Sequence, residues 1–272
     1  MASITYAPSS TTTGARAPSV APISAQCRHL FVVPAFNEVE NLPRLLADLE
    51  ARPALFPDGS RLIIVDDGSA DGTAEVAESH RGQITVEVVR MGTNQGPGAA
   101  FRTGFATALS HLGPDEEALV ITLEADTTSN LDSLPTMVVQ ARLGAHVVLA
   151  AWQMVNVSAK RRLLSRGAGF VIRRMLGVDA HTVSSFYRVY RASALRSAAD
   201  HYGDKLIRES GFACKAEILA KLNAMQMTVA EVDVELDSTR RVGESKMPIA
   251  KTIVAYWRMM ARQLVSTGAE TR

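Results

Sequence analysis

The chain has 272 residues, 47% of them hydrophobic, and a formal net charge of +1. This length and apolar content suit one α/β domain with an ample core, and the near-neutral charge excludes bulk nucleic-acid binding, which needs a clear basic excess. The two cysteines, Cys27 and Cys214, have neither the spacing of a metal site nor that of a redox motif, so a reduced, cytoplasmic setting is expected.

The first 26 residues differ in composition from the rest of the chain. They are rich in Ser, Thr, Ala and Pro, and Arg16 is the charged side chain among them. They contain neither the continuous apolar core of a signal peptide nor the repeated arginines of an organellar presequence. We therefore expect a disordered tail over residues 1–26 and a folded domain over residues 27–247.

From residue 27 onward, apolar runs typical of strands alternate with helical patterns. The predicted strands cover residues 30–34, 61–66, 84–89, 118–123 and 146–150, and the predicted helices cover residues 39–50, 73–80, 97–111 and 131–143. Alternation of this kind predicts a mostly parallel sheet with helices on both faces. After residue 150 the pattern changes to a basic helix near 159–176, a strand-like stretch at 183–190, a helix at 212–222 and a strand at 228–234.

Polar side chains follow the first two predicted strands, at the point where each strand ends. Asn37 and Glu38 come after the first strand, and Asp66 and Asp67 end the second strand just before a turn glycine. Ligands of open α/β sheets bind outside the carboxyl ends of the strands. Carboxylates in that position can accept hydrogen bonds from a nucleobase and a ribose, or help to hold a divalent ion.

A second acidic pair follows the strand predicted at 118–123, where the chain continues as Glu124, Ala125 and Asp126. Two carboxylates one residue apart form a hard-oxygen pair suited to Mg²⁺ or Mn²⁺ bridging a diphosphate. Because the carboxyl ends of parallel strands meet at one edge of a sheet, we expect this pair to join the polar groups of the first two strands in one site.

The ordered set of these motifs resembles the family 2 glycosyltransferases. Within them it is most similar to the dolichol-phosphate (polyprenyl-phosphate) mannosyltransferase and glucosyltransferase group. The resemblance rests on residues 33–38, 65–69, 71–73, 94–96 and 124–126, and on Arg240, Gly243 and the pair Ser245 and Lys246. It implies, for residues 27–247, the GT-A nucleotide-diphospho-sugar transferase fold, an α/β fold with a mostly parallel central sheet and helices on both faces.

The same resemblance assigns roles to individual residues. The donor-binding residues that it implies are Pro34, Asn37, Glu38, Asp66, Asp67, Asn94, Gly96, Glu124 and Ala125. It gives the metal, Mg²⁺ or Mn²⁺, to Glu124 and Asp126, and acceptor-phosphate binding to Arg162 and Ser245. The catalytic residues that it implies are Asp126, Arg240 and Lys246.

The chain departs from the family pattern at two places. The family motif at the acidic pair is Asp-x-Asp, whereas Glu124 is one methylene longer, which changes the expected metal geometry and leaves Asp126 as the matching ligand. Near the fifth strand, relatives commonly have a Ser-Arg segment where this chain has Ala151-Trp152-Gln153. Arginine forks of the basic helix at 159–176 are the candidates to hold phosphate instead.

The expected reaction is inverting transfer of a hexose, mannose or glucose, from a nucleotide sugar to polyprenyl or dolichyl phosphate. The first half of the chain would bind the donor and the second half the acceptor. A phosphate acceptor is already an anion, whereas a hydroxyl acceptor would need a general base, for which Glu209 and Glu217 are the candidates.

Two alternatives stay open: a transferase acting on a small molecule or a glycan, and a non-catalytic nucleotide-sugar binder in which Glu124 marks lost activity. A nicotinamide dehydrogenase is not expected, because the glycines around Gly96 do not follow the G-x-G-x-x-G spacing. Those glycines predict either close helix packing, a place near the donor, or both.

The last helical pattern, at 248–265, is amphipathic. Lys251, Arg258 and Arg262 gather on one side, and the apolar stripe comprises Ile249, Ile253, Val254, Trp257, Met260 and Leu264. A helix of this kind packs on the domain or lies at an anionic membrane surface, and both interpretations stay open. No stretch supplies the roughly 18 apolar residues needed to span a bilayer. We expect a cytoplasmic protein with an amphipathic C-terminal region at 248–272, in peripheral contact with the cytoplasmic membrane face if the helix binds lipid.

Overall fold

A computed structural model of the chain describes residues 4–6, 24, 27–114, 116–153, 185–235, 252 and 254–259. Within these ranges the side chains of residues 4–6, 152, 153 and 235 are not described. The strands are β1 (Ile4–Tyr6), β2 (His29–Ala35), β3 (Arg61–Asp66), β4 (Val86–Arg90), β5 (Leu119–Thr122), β6 (Val147–Gln153), β7 (Arg188–Arg191) and β8 (Val229–Glu235).

These strands form one eight-stranded sheet in the order β1-β8-β6-β7-β5-β2-β3-β4. The pairs β2–β3, β3–β4, β2–β5 and β6–β8 are parallel, whereas β7 is antiparallel to both β5 and β6, and β1 is antiparallel to β8. All described strands except β1 and β7 therefore run in the same direction. The prediction of a mostly parallel sheet is confirmed, and the antiparallel β7 joins its two parallel parts.

Six longer helices accompany the sheet in the described ranges. They are α1 (Leu42–Glu50), α2 (Thr73–Glu78), α3 (Pro97–Ser110), α4 (Leu134–Arg142), α5 (Ala192–Tyr202) and α6 (Cys214–Ala224). The hydrophobic pattern of the sequence does not predict α5. Its buried residues are Ala192, Ala194, Leu195 and Ala198, and it begins after Arg191, without the Ser, Thr, Asp or Asn cap that marks a helix start in a sequence.

The sheet separates two hydrophobic cores. Along β2, Leu30 and Val32 belong to one core while Phe31 and Val33 belong to the other, because successive side chains of a strand point to opposite faces. Helices α3, α5 and α6 contribute to the first core, and α1 and α4 contribute to the second. Both faces of the sheet are therefore covered, as the alternation of strands and helices predicts.

The N-terminal segment differs from the expectation at one place. Ile4–Tyr6 forms the edge strand β1, in which Ile4 lies opposite Val232 and Tyr6 lies opposite Ala230. Isoleucine, threonine and tyrosine all favour extended structure, which accounts for a strand within a segment of otherwise disorder-prone composition. The other residues of the segment 1–26, apart from Ser24, lie outside the described residues.

Residues 252 and 254–259 are helical, within the range predicted for the last helix. The buried side of this short segment consists of Thr252, Tyr256 and Met259, and the latter two join the first core. Val254 and Trp257 are exposed, at 56% and 59% of their surface. The helix thus packs on the domain, and the part of the apolar stripe formed by Val254 and Trp257 faces away from it. The remaining stripe residues lie outside the described ranges.

Candidate active site

β2 is the central strand of the candidate site, because it pairs with β3 on one side and with β5 on the other. Val32 lies opposite both Ile63 of β3 and Thr122 of β5. The chain builds the sheet outward from β2 through β3 to β4, and it then returns to the other side of β2 with β5. A reversal of this kind opens a crevice at the carboxyl ends of the strands, where ligands bind. The loops after β2, β3 and β5 therefore share one edge of the sheet.

Asn37 ties the loop after β2 to the loop after β3. Its main-chain N–H donates to the Ser69 hydroxyl at 2.8 Å, and its side-chain oxygen accepts from the N–H of Ala70 at 3.0 Å. Asn37 adopts a left-handed backbone conformation with φ of 53°, which asparagine tolerates better than most residues. These contacts fix the shape of both loops, and the role of Asn37 in donor binding stays a prediction.

A second link between the same loops passes through Asp71. Its carboxylate accepts the N–H of Val39 at 3.1 Å and the Thr73 hydroxyl at 2.6 Å, while the N–H of Glu38 donates to that same hydroxyl at 2.8 Å. Burial alone would raise the pKa of Asp71, but these hydrogen bonds outweigh it and lower the pKa. The carboxylate of Glu38 accepts from the side-chain amide of Asn41 at 2.7 Å. In the sequence, Asp71 stands out only as part of the motif at 71–73, which does not predict this bridging role.

Asp67 anchors the loop that precedes α3. One of its carboxylate oxygens accepts the N–H of Gln95 at 2.7 Å, and the other accepts the N–H of Gly96 at 2.8 Å. Burial raises the pKa of Asp67, the two N–H groups lower it, and the neighbouring charge of Asp66 raises it further. Asp66 itself accepts the N–H of Ser69 at 3.3 Å across the turn. A role of these carboxylates in donor binding stays a prediction, and their shown contacts are with the main chain.

Two glycines at the start of α3, Gly96 just before it and Gly98 in its first turn, allow close contact with residues 208–211. A Cβ atom at Gly96, where φ is 90°, would lie 2.5 Å from the carbonyl oxygen of Ser210, and one at Gly98 would overlap the carbonyl of Glu209. The N–H of Gly98 donates to the Ser210 carbonyl at 2.7 Å. Close packing therefore explains both glycines, and the exposed Asn94 adds a bond from the Gly96 N–H to its side-chain oxygen at 3.1 Å.

Glu217 holds the same segment from α6. One of its oxygens accepts the N–H groups of Arg208 and Glu209 at 2.9 and 2.8 Å, and the other accepts from the ammonium of Lys221. A carboxylate with these partners acts as a clamp on the chain. Of the two residues considered as a general base, Glu217 thus has a structural task, and Glu209 is buried beside Gly98.

The acidic pair after β5 converges on one hydroxyl group. The Thr128 hydroxyl lies 2.6 Å from an oxygen of Asp126 and 3.4 Å from an oxygen of Glu124, and the Thr128 N–H also donates to Asp126 at 3.1 Å. Between them, Thr127 has a φ of 63°, in the left-handed region that β-branched residues avoid. Strain of this kind costs about 1–3 kcal/mol and occurs preferentially at functional sites.

The carboxylate pair fits a divalent ion of the Mg²⁺ type. No group of three or more His, Cys, Asp or Glu side chains in the described part of the chain could hold a metal by itself. Mg²⁺, however, is commonly bound by one or two carboxylates together with substrate phosphates. Glu124 and Asp126 offer such a pair, since oxygens of both approach the Thr128 hydroxyl, and Asp126 keeps 9% of its surface exposed at the crevice.

A buried lysine lies at the start of α6. Lys215, in the first turn of α6, has its ammonium group 4.3 Å from the ring centre of Phe186 and 5.6 Å from that of Phe212. Burial lowers the pKa of Lys215, and the negative charge of Glu124 opposes this more than any other group does. No spacing in the sequence singles this lysine out, because Phe186, the nearer ring, lies just before β7 and reaches Lys215 through tertiary packing.

Several predicted site residues lie outside the described ranges. They are Arg162, Arg240, Ser245 and Lys246, and their roles stay predictions. Of the segment Ala151-Trp152-Gln153, the backbone continues β6 and the side chain of Ala151 is buried. Pro34 lies near the end of β2, and Ala125 lies in the turn that follows β5. Their role in donor binding stays a prediction.

The sheet order, the crevice at β2 and the carboxylate pair define a class of protein: the nucleotide-diphospho-sugar transferases of the GT-A type. The family model described as Glycosyl transferase family 2 matches residues 30–198 of the chain. The chain belongs to this family, and the resemblance stated from its motifs is confirmed.

Among curated proteins, the chain is similar to an undecaprenyl-phosphate mannosyltransferase of Micrococcus luteus, with 30% identity over 225 residues, 81% of this chain and 87% of that protein. An undecaprenyl-phosphate 4-deoxy-4-formamido-L-arabinose transferase of Pseudomonas paraeruginosa is 33% identical over 61% of this chain. A dodecaprenyl-phosphate galacturonate synthase of Rhizobium johnstonii is 28% identical, also over 61% of this chain. The chain spans 48% of the length of each of these last two relatives.

Solved structures of two further proteins share the fold. Mannosyl-3-phosphoglycerate synthase from Rubrobacter xylanophilus matches 89% of this chain and 75% of its own, with a TM-score of 0.57 and 20% identity. Glucosyl-3-phosphoglycerate synthase from Mycobacterium tuberculosis, in complex with Mn²⁺, uridine diphosphate and its product, matches 88% of this chain and 79% of its own, with a TM-score of 0.58 and 19% identity. At this level of identity the likeness concerns the fold alone, and it confirms the GT-A expectation.

Proposed function

We propose that the protein transfers a hexose, mannose or glucose, from a nucleotide sugar to a polyprenyl phosphate with inversion at the sugar carbon. The observation that carries the proposal is the convergence of Glu124 and Asp126 at the crevice beside β2. The relatives named as transferases to undecaprenyl or dodecaprenyl phosphate support the acceptor class. Their sugars differ, so the choice of hexose is part of the proposal.

The donor would lie across the loops that follow β2, β3 and β5. Asn37, Glu38 and the Asp66–Asp67 turn border the end where a nucleoside fits, with their loops already braced by hydrogen bonds. Asp126 and Glu124 border the end where the diphosphate fits. Mg²⁺ or Mn²⁺ held by these two residues would stabilise the negative charge of the departing nucleoside diphosphate.

The acceptor chemistry agrees with the structural task of Glu217, one of the two candidate bases. A phosphate oxygen of the acceptor attacks the anomeric carbon as the bond from that carbon to the diphosphate oxygen breaks, which gives a sugar–lipid phosphate and a nucleoside diphosphate. An anionic phosphate needs no deprotonation, whereas a hydroxyl acceptor would. The clamp role of Glu217 supports the phosphate interpretation, since both its oxygens serve other partners. Arg162, Arg240, Ser245 and Lys246 are proposed, from the family resemblance, to hold the phosphates.

The proposed location is the cytoplasm, with peripheral contact at the membrane face. Across the described residues, the helices are too short or too polar to cross a bilayer. Support for the contact comes from Val254 and Trp257, which are exposed on the C-terminal helix next to the exposed Arg258. An exposed tryptophan beside a basic residue suits the interface of an anionic membrane.

The test of the proposed function is transfer itself. The full chain would be incubated with Mg²⁺ or Mn²⁺, a short polyprenyl phosphate, and GDP-mannose or UDP-glucose in separate reactions, followed by mass spectrometry. We expect a lipid product that is one hexose heavier with one of the donors. Release of nucleoside diphosphate without that product would replace the acceptor in the proposal by a small molecule, a glycan or water. No reaction with any donor would favour the non-catalytic binder.

A further inference from the structure

Lys215 is a buried lysine whose ammonium group forms no ion pair in the described part of the chain. Its surface is 6% exposed, although lysine is almost never fully buried in folded proteins unless it is paired. Across the described residues, no hydrogen bond reaches the ammonium either. Removing an ammonium group from water costs free energy unless other interactions offset that cost. The position of Lys215 therefore points to an anionic ligand.

Two aromatic rings offset part of this cost. The ammonium lies 4.3 Å from the centre of the Phe186 ring and 5.6 Å from that of the Phe212 ring. Phe186 is in turn stacked on Phe101, with ring centres 4.6 Å apart. The attraction between a cation and an aromatic face is weaker than the cost of burying a full charge. The rings thus hold the ammonium in place and leave its charge to be neutralised by another group.

The start of α6 adds to the positive charge around Lys215. The first N–H groups of a helix have no partner within it, and the helix dipole places a partial positive charge there. The N-cap residue is Ala213, and no side chain caps this end of the helix. Glu217 is the acid of the first turn, and both of its oxygens bind other groups. Lys215 therefore adds a cation at a place where the helix itself favours an anion.

The first ring places Lys215 at the edge of the sheet where the candidate active site lies. Phe186 comes just before β7, whose first residue Arg188 lies opposite Thr122, the last residue of β5. Because β7 is antiparallel to β5, Phe186 lies beyond the carboxyl end of β5, where the Thr122 hydroxyl donates to its carbonyl. The loop with the acidic pair starts at this same end of β5.

The second ring leads to the same edge. Phe212 directly follows residues 208–211, and a carbonyl of that segment accepts the N–H of Gly98 at 2.7 Å. Gly98 is in the first turn of α3, and Asp67, just after β3, holds the loop that leads into α3. Both rings beside the ammonium thus belong to segments at the carboxyl ends of the parallel strands, and the lysine lies there with them.

We propose that Lys215 and the start of α6 form a phosphate-binding subsite of the crevice. The inference rests on the proposed function, which brings two kinds of phosphate to the site, the diphosphate of the nucleotide sugar and the phosphate of the polyprenyl acceptor. Both present anionic oxygens that can pair with the ammonium and accept N–H groups from the first turn of a helix. Lys215 is then a binding residue that the sequence motifs do not contain.

The variant Lys215→Met tests this subsite. Methionine keeps the length and the contact with the aromatic rings but carries no charge. Because a charge-assisted hydrogen bond is lost, we expect phosphate binding to weaken by roughly tenfold or more. The measurement is calorimetric titration of the full chain in Mg²⁺ with GDP, with UDP and with a short polyprenyl phosphate. Weaker binding of the nucleotides assigns the subsite to the donor diphosphate, and weaker binding of the lipid assigns it to the acceptor phosphate.

The same variant should change the stability of the ligand-free protein in the opposite direction. Removing an unpaired charge from the interior removes its burial cost, so Lys215→Met without ligand should unfold at a higher temperature than the wild type. An ammonium with a structural partner would behave in the reverse way, because its loss leaves that partner unpaired. Thermal unfolding measures this, and a lower unfolding temperature contradicts the inference.

Lys205→Met is the matched control for the lost charge. Lys205 is exposed on a short helix after α5, so this variant should leave every affinity unchanged. If Lys215→Met does not fold, Lys215→Gln is titrated in its place with the same expectation. If the wild type binds neither nucleotide nor the lipid, the proposed function is wrong and the subsite with it. If the wild type binds them and a folded Lys215 variant binds them equally well, only the subsite is wrong.

Discussion

The two acidic loops of the site, after β3 and after β5, differ in what their carboxylates contact. After β3, Asp67 accepts two main-chain N–H groups from a loop 28 and 29 residues further along the chain. After β5, Asp126 accepts from Thr128 within its own loop, and the same Thr128 hydroxyl lies 3.4 Å from Glu124. The first loop thus uses its carboxylates to hold distant chain segments in place, whereas the second presents a carboxylate pair that fits a cation.

The largest effect expected from this comparison is on catalysis. Asp126→Ala removes the proposed metal ligand that matches the family motif, so the rate of sugar–lipid formation should fall by roughly a hundredfold or more, with folding intact. The measurement is the mass-spectrometric transfer assay together with circular dichroism. Asp132→Ala, a surface acid paired with Arg52, is the control and should keep full activity. Full metal-dependent activity of Asp126→Ala would break the distinction between the loops.

The next effect concerns the contact between Gly98, in the first turn of α3, and residues 208–211. A methyl group at Gly98 would overlap the carbonyl of Glu209, so Gly98→Ala must shift the main chain and should lower the free energy of unfolding by about 1–3 kcal/mol. Urea denaturation measures this. Gly211→Ala is the control, because a Cβ there would meet no atom within 4 Å. Equal stability of the two variants would show that the segments are not tightly joined.

Glu217→Gln tests the clamp role against the base role. The amide oxygen can still accept the N–H groups of Arg208 and Glu209, but the ion pair with Lys221 is lost. The free energy of unfolding should therefore fall by about 1 kcal/mol. The transfer rate should stay within about threefold of wild type, because a phosphate acceptor needs no base. A thousandfold loss of rate without loss of stability would instead identify Glu217 as a general base for a hydroxyl acceptor.

The smallest effect concerns pH and Asp71. Because the folded state lowers the pKa of this carboxyl from the ordinary 3.8, its ionised form stabilises the fold above that pH, and the contribution disappears as the pH falls through the folded-state value. Asp71→Asn should therefore reduce stability by less than about 1 kcal/mol at pH 7, given its exposure. The difference from wild type, followed by thermal unfolding between pH 7 and pH 3, should shrink on acidification; a difference that grows contradicts this account.

Much of the fold follows from sequence pattern. Strands β2 to β6, strand β8 and most helices are predicted within a few residues, because apolar runs ended by glycine or acidic residues give a strong local signal. The helix α5 is not predicted, since it begins after Arg191 without a capping side chain that would mark its start in the sequence. The antiparallel direction of β7 cannot be predicted from the sequence either, because it depends on tertiary pairing with β5 and β6.

The site is predictable in place but less so in role. Asp67 and Asp126 each stand just beyond a buried strand, and only long-range contacts, such as that with Gly96, separate an anchor from a ligand candidate. Lys215 carries no local signal, because Phe186 approaches it through tertiary packing. Residue type and spacing thus predict at which edge of the sheet the acidic residues lie. The tertiary contacts then show which of them bind the main chain and which could bind a cation.

The contact between the start of α3 and residues 208–211, called the junction below, includes a main-chain hydrogen bond from the N–H of Gly98 to the carbonyl of Ser210. A contact of this kind does not depend on which side chains the segment carries. The side chains of Arg208 and Ser210 are exposed and can be exchanged without loosening the junction. Substitutions at Arg208 and Ser210 therefore test the expectation that the second half of the chain binds the acceptor, because they can change acceptor choice while the main-chain contact with Gly98 is kept.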